Sequence, residues 1–187
     1  FNGAYNGTDR FQGSKRYGFF PAVSAGWNIA EEKFLDNIKW LDVFKIRGSW
    51  GIVGSDDIGT YRYIYQQIYS QSTTAATGYN FGESPNAFNS IFEGQIGNTD
   101  VSWEKERKLN LGVDFTLFKG KLSGTVDVFD NYRFDILTTR NRIPVIFGQT
   151  LPVVNIGEVS NKGYEIELNH RNHIGKVEYY IKGTYSV

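Results

Sequence analysis

The feature that most limits how this chain folds is a run of strict two-residue alternation. From residue 109 to residue 117, apolar side chains occupy the odd positions, and Asn, Gly, Asp and Thr occupy the even ones. Successive side chains of a β-strand point to opposite sides of the sheet, so this pattern predicts a strand with one apolar face. The odd positions are Leu109, Leu111, Val113, Phe115 and Leu117.

Weaker alternation recurs along the chain. It covers residues 1–5, 21–29, 44–52, 121–131, 164–169 and 177–187. The composition agrees, because the 187 residues include 14 Phe, 12 Tyr and 21 Gly but only 4 Pro, a mix typical of extended chain rather than helix. We therefore predict an all-β fold of roughly seven antiparallel strands.

The predicted connections alternate in length. In chain order they are long, medium, very long, short, long and short: residues 6–17, 31–43, 54–103, 119–120, 141–162 and 172–175. Successive connections of an up-and-down sheet lie at opposite ends, so the long loops gather at one end and the turns at the other. Outer-membrane β-barrels have this asymmetry. The medium connection is expected to hold one or two helical turns.

Charge and residue usage exclude several other classes of protein. Lys and Arg total 20, and Asp and Glu total 20, so no net charge attracts the chain to nucleic acid. Without cysteine there is no disulfide, thiolate metal site or Cys nucleophile. No apolar run approaches the roughly 18 residues of a transmembrane helix, whereas barrel strands need only alternation.

Several segments, in order, resemble landmark stretches of the SusC/RagA family of TonB-dependent outer-membrane transporters. They are residues 7–11 (GTDRF), 17–27 (YGFFPAVSAGW), 44–54 (FKIRGSWGIVG), 101–115 (VSWEKERKLNLGVDF) and 155–165 (NIGEVSNKGYE). Residues 17–27 are the most specific match. The matching segments span nearly the whole chain, and their order and spacing carry the resemblance.

The resemblance implies that residues 1–187 form part of the C-terminal half of a large up-and-down barrel. Such barrels close with about 22 strands around a plugged lumen. It also implies that a signal peptide, a plug domain, a TonB-contacting segment and further strands lie outside this chain. The parent protein would import oligosaccharides or peptides across a bacterial outer membrane, with a SusD-like lipoprotein lid and energy from TonB. No catalytic residue and no cofactor is implied.

The two faces of the 109–117 strand then have different surroundings. The odd positions are expected to contact lipid, and Asn110, Asp114 and Thr116 to face the plug or lumen. Residues 61–65 are expected either to extend a strand above the membrane or to belong to an aromatic girdle.

Aromatic residues of the very long loop are the candidates for contact with substrate or a partner. Flat rings with a polar tip suit stacking on sugars or packing against a lid protein. Packing of the loop on itself, or a position at the membrane interface, explains these rings at least equally well. The group is Tyr61, Tyr63, Tyr65, Tyr69, Tyr79, Phe81, Phe88 and Phe92.

Glu165 and Glu167 share one face of a predicted strand. Paired carboxylates catalyse glycoside hydrolysis, but a watery barrel lumen also explains polar side chains at alternate positions. Two rival functions remain open: a soluble β-sandwich or adhesin-like binding module, and a carbohydrate-active enzyme that uses Glu165.

No metal site is expected. His170 and His173 stand three residues apart without a third ligand, and Asp56-Asp57 lacks the spaced ligands of a calcium loop. Gly48, Gly51 and Gly54 have no βαβ context for phosphate binding, so we expect them to serve bends in the backbone.

Overall fold

Long antiparallel strands dominate the chain in the computed structural model. The structure describes residues 1–35, 38–57, 59, 62–72, 79–80, 87–88, 90–94, 96–139 and 151–187, with the backbone alone at 79–80 and 87–88. Within these residues, no helix has the length and hydrophobicity needed to cross a membrane.

Eleven strands are present in the described residues. In chain order they are β1 (Asn2–Gly7), β2 (Tyr17–Asn28), β3 (Leu41–Ser55), β4 (Tyr69–Gln71), β5 (Tyr79–Asn80), β6 (Ala87–Phe88), β7 (Ile91–Glu93), β8 (Glu104–Leu117), β9 (Leu122–Thr139), β10 (Val153–Ile174) and β11 (Val177–Ser186).

Seven of these strands form one sheet, in the order β1-β2-β3-β8-β9-β10-β11. Every neighbouring pair is antiparallel. Apart from the insertion between β3 and β8, strand order follows chain order, so the sheet is an up-and-down meander. The predicted antiparallel all-β fold is confirmed. The small strands pair within the insertion, β4 with β7 and β5 with β6.

Strands β9 and β10 are longer than the alternation predicted, at 18 and 22 residues. Most of the predicted long connection over 151–162 is therefore strand, while residues 140–150 lie outside the described part of the chain. Irregular register between Asn155 and Val159 interrupts the alternation there. The predicted turn at 172–175 is also too long, because β10 continues to Ile174 and the chain reverses at Gly175 (φ 65°).

The connections that follow β2 and β8 are built from tight turns. After a 3-10 turn at Ile29–Glu31, backbone hydrogen bonds from Leu35 to Glu32 and from Ile38 to Leu35, both 2.8 Å, continue the same type of turn. The hairpin between β8 and β9 turns through residues 118–120, all with left-handed φ of 56°, 57° and 79°. A tight turn at Lys119-Gly120 is therefore confirmed.

The connections after β1, β3 and β9 cover residues 8–16, 56–103 and 140–152, and those after β2, β8 and β10 cover residues 29–40, 118–121 and 175–176. The first set holds the two longest connections, although the β2–β3 connection is longer than the β1–β2 connection. In a meander these two sets lie at opposite ends, which we name the loop end and the turn end.

The main sheet has an apolar face and a polar face. Val113 of β8 pairs with Ile46 and Val126, whereas Asp114 pairs with Lys45 and Thr125. On the apolar face, large side chains are uncovered: Leu111, Trp27 and Ile181 are 54%, 53% and 62% exposed. A soluble sandwich buries such a face against a second sheet. Here these side chains are not packed inside the chain.

Candidate functional site

An ion-pair network crosses three strands on the polar face. The guanidinium of Arg47 lies 3.2 Å from a carboxylate oxygen of Asp114 on β8 and 2.7 Å from one of Asp127 on β9. It also donates a 3.2 Å hydrogen bond to the side-chain oxygen of Asn110. Thr125 donates to the other oxygen of Asp114 at 3.2 Å. One cation thus holds β3, β8 and β9 together across the polar face.

Gly112 is the reason that Arg47 reaches Asp127. It lies on β8 between these two residues and pairs with both. A Cβ atom at this position would stand 2.6 Å from Cζ of Arg47 and 2.7 Å from Oδ1 of Asp127. The guanidinium therefore occupies the space that any other residue would fill.

Glu165 and Glu167 lie on the polar face, where the alternation placed them. They line a furrow between β9, β10 and β11 together with Thr125, Asp127 and Thr184. Glu167 forms an ion pair with Lys182 at 2.9 Å and accepts a 3.0 Å hydrogen bond from Asn169. A carboxylate held by a lysine is stabilised in its ionised form, which suits a hydrated wall better than the proton donor of a glycosidase.

At the loop end, five buried side chains form a cluster that we name the loop-end core. Its members are Phe11, Phe20, Ile64, Val101 and Trp103. The ring of Trp103 meets those of Phe11 and Phe20 edge-to-face, with centroids 5.8 Å and 5.3 Å apart. A Cβ on Gly54 would stand 2.0 Å from the Phe20 ring, so Gly54 allows close approach rather than a bend. The loop-end core joins the β1–β2 loop to the β3–β8 connection.

Polar contacts attach the same connection to the neighbouring strands. Buried Glu104 forms an ion pair with Arg133 and accepts a 2.9 Å hydrogen bond from the backbone of Leu137. Asn155 exchanges hydrogen bonds with the backbone of Ser102 at 3.0 Å and 2.9 Å, and also donates to the Asp135 carbonyl at 2.7 Å. The base of the connection is therefore fixed to β9 and β10.

Asp56-Asp57 also joins loops. Asp56 accepts a 2.7 Å hydrogen bond from Thr8, its carbonyl accepts another from Arg10 at 2.7 Å, and Arg10 lies 3.9 Å from the carboxylate of Asp57. An arginine thus balances the acidic pair, as expected for an ordinary acidic turn.

A second exposed ion pair joins the same loops. Lys15 lies 2.8 Å from Asp100, and its hydrogen bond, helped by its charge, lowers the pKa of that carboxyl group.

The candidate loop aromatics are dispersed. Tyr63 and Tyr65 meet edge-to-face with centroids 6.1 Å apart, and the fully buried Ile64 lies between them in sequence. Tyr69 on β4 and Phe92 on β7 are 63% and 46% exposed. The structure therefore brings together only one pair among the candidates whose side chains it describes.

The remaining four aromatic candidates have no described side chain. Tyr61 and Phe81 lie outside the described residues, and Tyr79 and Phe88 are described only as paired backbone of β5 and β6. Residues 63–66 form a turn, closed by a 2.9 Å backbone hydrogen bond from Gln66 to Tyr63. The predicted strand extension at 61–65 is thus wrong over its described part, because the chain bends there to bury Ile64.

Neither histidine lies among metal ligands in the described part of the chain. The His170 ring packs on Tyr179, with a 3.1 Å contact between its Nε2 and the phenol oxygen, and His173 lies next to the β10–β11 turn.

Aromatic pairs lie at both ends of the main sheet, and the sequence patterns did not predict them. At the loop end Tyr132 stacks on Phe134 at 5.7 Å. At the turn end Trp40 stacks on Phe118 at 6.1 Å, and Trp27 donates a 2.9 Å hydrogen bond to Glu32. The sequence feature that could have indicated these pairs is an aromatic residue next to charged residues at each end of an alternating run.

A family model described as TonB dependent receptor-like, beta-barrel matches residues 1–186. TonB-dependent receptor SusC of Bacteroides thetaiotaomicron is 32% identical over 170 residues, which are 90% of this chain and 16% of SusC. TonB-dependent receptor P39 of Formosa agariphila is 32% identical over 163 residues, or 87% of this chain and 14% of that protein.

A solved structure of the RagAB peptide transporter superposes with a TM-score of 0.74 at 25% identity, covering 96% of this chain and 19% of that chain. The chain thus spans less than a fifth of the length of each of these relatives.

Proposed function

Because the chain belongs to the family of TonB-dependent receptor β-barrels, we propose that its parent protein is an outer-membrane importer of the SusC/RagA type. This chain supplies one sector of the barrel wall. The observation that carries the proposal is a meander of long strands with an uncovered apolar face, an ion-paired polar face and long loops at one end.

In this proposal the apolar face contacts lipid and the polar face lines the lumen or meets the plug. Lipid accepts side chains such as Leu111 without a second protein layer, and the hydrated interior accepts the Arg47 network. The proposed lipid contacts on β8 are Leu109, Leu111, Val113, Phe115 and Leu117, and the proposed interior residues are Asn110, Asp114 and Thr116.

Transport belongs to the parent protein. The main sheet has seven strands, whereas transporters of this kind close with about 22. We propose that the plug domain and the TonB-contacting segment lie outside residues 1–187, and that the parent works in a bacterial outer membrane with a SusD-like lipoprotein lid.

The proposed cargo is an oligosaccharide or a peptide. The similarity to SusC and to a structure called a peptide transporter supports this range. Loop-end aromatics are the proposed contacts for cargo or lid, with the Tyr63–Tyr65 pair the best defined of them. Uptake breaks no bond in the cargo, so no residue is assigned a catalytic role.

A bacterial strain that lacks the parent gene tests the proposal. Uptake of labelled oligosaccharides and labelled peptides is compared between this strain, the parental strain and a complemented strain. Import of at least one cargo class should depend on the gene and stop when a protonophore removes the energy that TonB transmits. Unchanged uptake of every cargo, together with recovery of the protein in the soluble fraction, would contradict the proposal.

A further inference from the structure

Three charged residues lie where the apolar face ends on the loop side, and we name them the border triad: Arg107, Asp130 and Lys162. Asp130 pairs with Leu109 on one side and with Lys162 on the other, and Arg107 pairs with Tyr132 one row further toward the loop end. The next row toward the turn end is Leu111, Val128 and Tyr164. The border triad therefore belongs to the same face as the apolar rows and directly follows them.

Both cations of the border triad share one carboxylate oxygen. Nζ of Lys162 lies 3.1 Å from Oδ2 of Asp130, and a terminal nitrogen of Arg107 lies 3.8 Å from the same atom. The Lys162 and Arg107 side chains are 66% and 45% exposed, whereas that of Asp130 is 27% exposed. One partly buried carboxylate thus pairs with two more exposed cations, so the triad carries a net positive charge.

Aromatic rings flank the triad. The guanidinium carbon of Arg107 lies 5.6 Å from the centroid of the Tyr132 ring, which stacks on Phe134. Aromatic girdles mark the depth at which a barrel leaves the hydrocarbon and meets the headgroups. The long loops place this margin on the extracellular side. The two cations would therefore lie at the level of the outer-leaflet headgroups.

We propose that the border triad binds the phosphate group of an outer-leaflet lipid. Arg107 offers planar paired donors that match phosphate, and Lys162 adds a mobile point charge on the other side of Asp130. Asp130 keeps the two cations close together and competes with the phosphate for them. The inference rests on the proposed function, because it requires the apolar face to lie in lipid.

The test uses the full-length parent protein in a neutral detergent. Binding is titrated with short-chain phosphatidic acid as the phosphate lipid, with an uncharged galactosyl diacylglycerol as the reference lipid, and with inorganic phosphate alone. The parent should prefer phosphatidic acid over both. Since a basic residue near an anionic membrane surface strengthens binding about fivefold, Arg107→Gln and Lys162→Gln should each weaken it by about that factor.

Lys182→Gln is the matched control, because Lys182 is also an exposed lysine in an ion pair, 2.9 Å from Glu167, but on the polar face. It should leave phosphatidic acid binding unchanged. The melting temperature of each lipid-free variant is measured, and Arg107→Gln replaces Lys162→Gln if the latter does not fold.

Asp130→Asn separates binding from a purely structural role. Removing the competing carboxylate should strengthen phosphatidic acid binding, whereas a structural ion pair would give no such gain. Equal weakening by Lys162→Gln and Lys182→Gln, weaker binding by Asp130→Asn, or inorganic phosphate binding as well as the lipid would each overturn the inference. Extraction of the parent from cells without detergent would instead contradict the proposed function.

Discussion

At the scale of single residues, the ion-pair network of the polar face depends on the lack of a side chain at one position of β8. Gly112 occupies the centre of a regular strand, where glycine packs nothing and weakens the strand. Here the glycine leaves a space above the backbone, and the Arg47 guanidinium passes through this space to lie 2.7 Å from Asp127. The contact between Arg47 and Asp127 therefore depends on three residues on three strands.

Gly112→Ala tests this dependence. The new Cβ would stand 2.6 Å from Cζ of Arg47, so the guanidinium must move away from Asp127. We expect a destabilisation of about 1–3 kcal/mol, typical of overpacking, in urea unfolding of the parent protein in detergent.

Gly183→Ala is the control for this change, because nothing lies within 4 Å of a Cβ built on that strand glycine. It should change the free energy of unfolding by less than about 0.5 kcal/mol. Equal effects of the two substitutions would show that Arg47 does not need the gap.

Val113→Arg and Thr116→Arg test which face meets lipid. Val113 lies in the middle of the apolar face and Thr116 on the polar face of the same strand. An arginine facing lipid at mid-depth costs about 2–4 kcal/mol, so Val113→Arg should sharply lower the amount of folded parent in the outer-membrane fraction. Thr116→Arg should assemble normally, and equal assembly of the two variants would reject the assignment of the faces.

At the scale of elements, the β3–β8 connection is built as a fixed structure at its base. The loop-end core holds it from one side, and Glu104 and Asn155 attach it to β9 and β10 from the other. Ile64 belongs to this core, so the Tyr63–Tyr65 pair is carried by an anchored turn.

Asn155→Ala should loosen this attachment. The change removes three hydrogen bonds and leaves the Ser102 backbone without its side-chain partner. We expect faster hydrogen exchange across residues 96–104, with a local loss of about 1–3 kcal/mol.

Asn161→Ala provides the comparison, since it is the same change on the exposed part of the same strand. It should leave exchange in residues 96–104 unaltered. Identical exchange in the two variants would mean that Asn155 does not hold the connection.

At the scale of the whole molecule, the main sheet is a wall of seven strands, and no core runs along its apolar face in the described part of the chain. The buried hydrophobic residues among those described are confined to the loop end, while most of the apolar face is uncovered. A contiguous exposed apolar surface of this kind indicates a contact with a membrane or with another protein.

Residues 1–187 expressed alone should therefore not behave as a compact monomer in water. We expect aggregation in detergent-free buffer and dispersion in detergent, measured by size-exclusion chromatography with light scattering. A sharp monomeric peak without detergent would favour the soluble β-sandwich that the alternation also allows.

The sequence by itself determined the seven strands of the main sheet and their two faces, but not the small strands β4, β5, β6 and β7. Alternation is a local property of extended chain. It predicts that Leu111 and Asn110 lie on opposite faces of the sheet, whichever strands are their neighbours. The ordered motifs also indicated the family, because residues 17–27 and 155–165 resemble its landmark stretches. Strand ends were less predictable, since β10 pairs through Asn155–Val159 where alternation is lost.

Only the tertiary structure decided which residues meet. Register places Arg47 beside Gly112 and Asp127, and loop packing brings Phe11 against Trp103. Residues 61–65 were expected to extend a strand or to belong to an aromatic girdle, whereas the stacked pair of Tyr132 and Phe134 on β9 was not predicted. Alternation states the side of the sheet on which a residue lies, whereas its neighbours on that side depend on the register of every intervening strand.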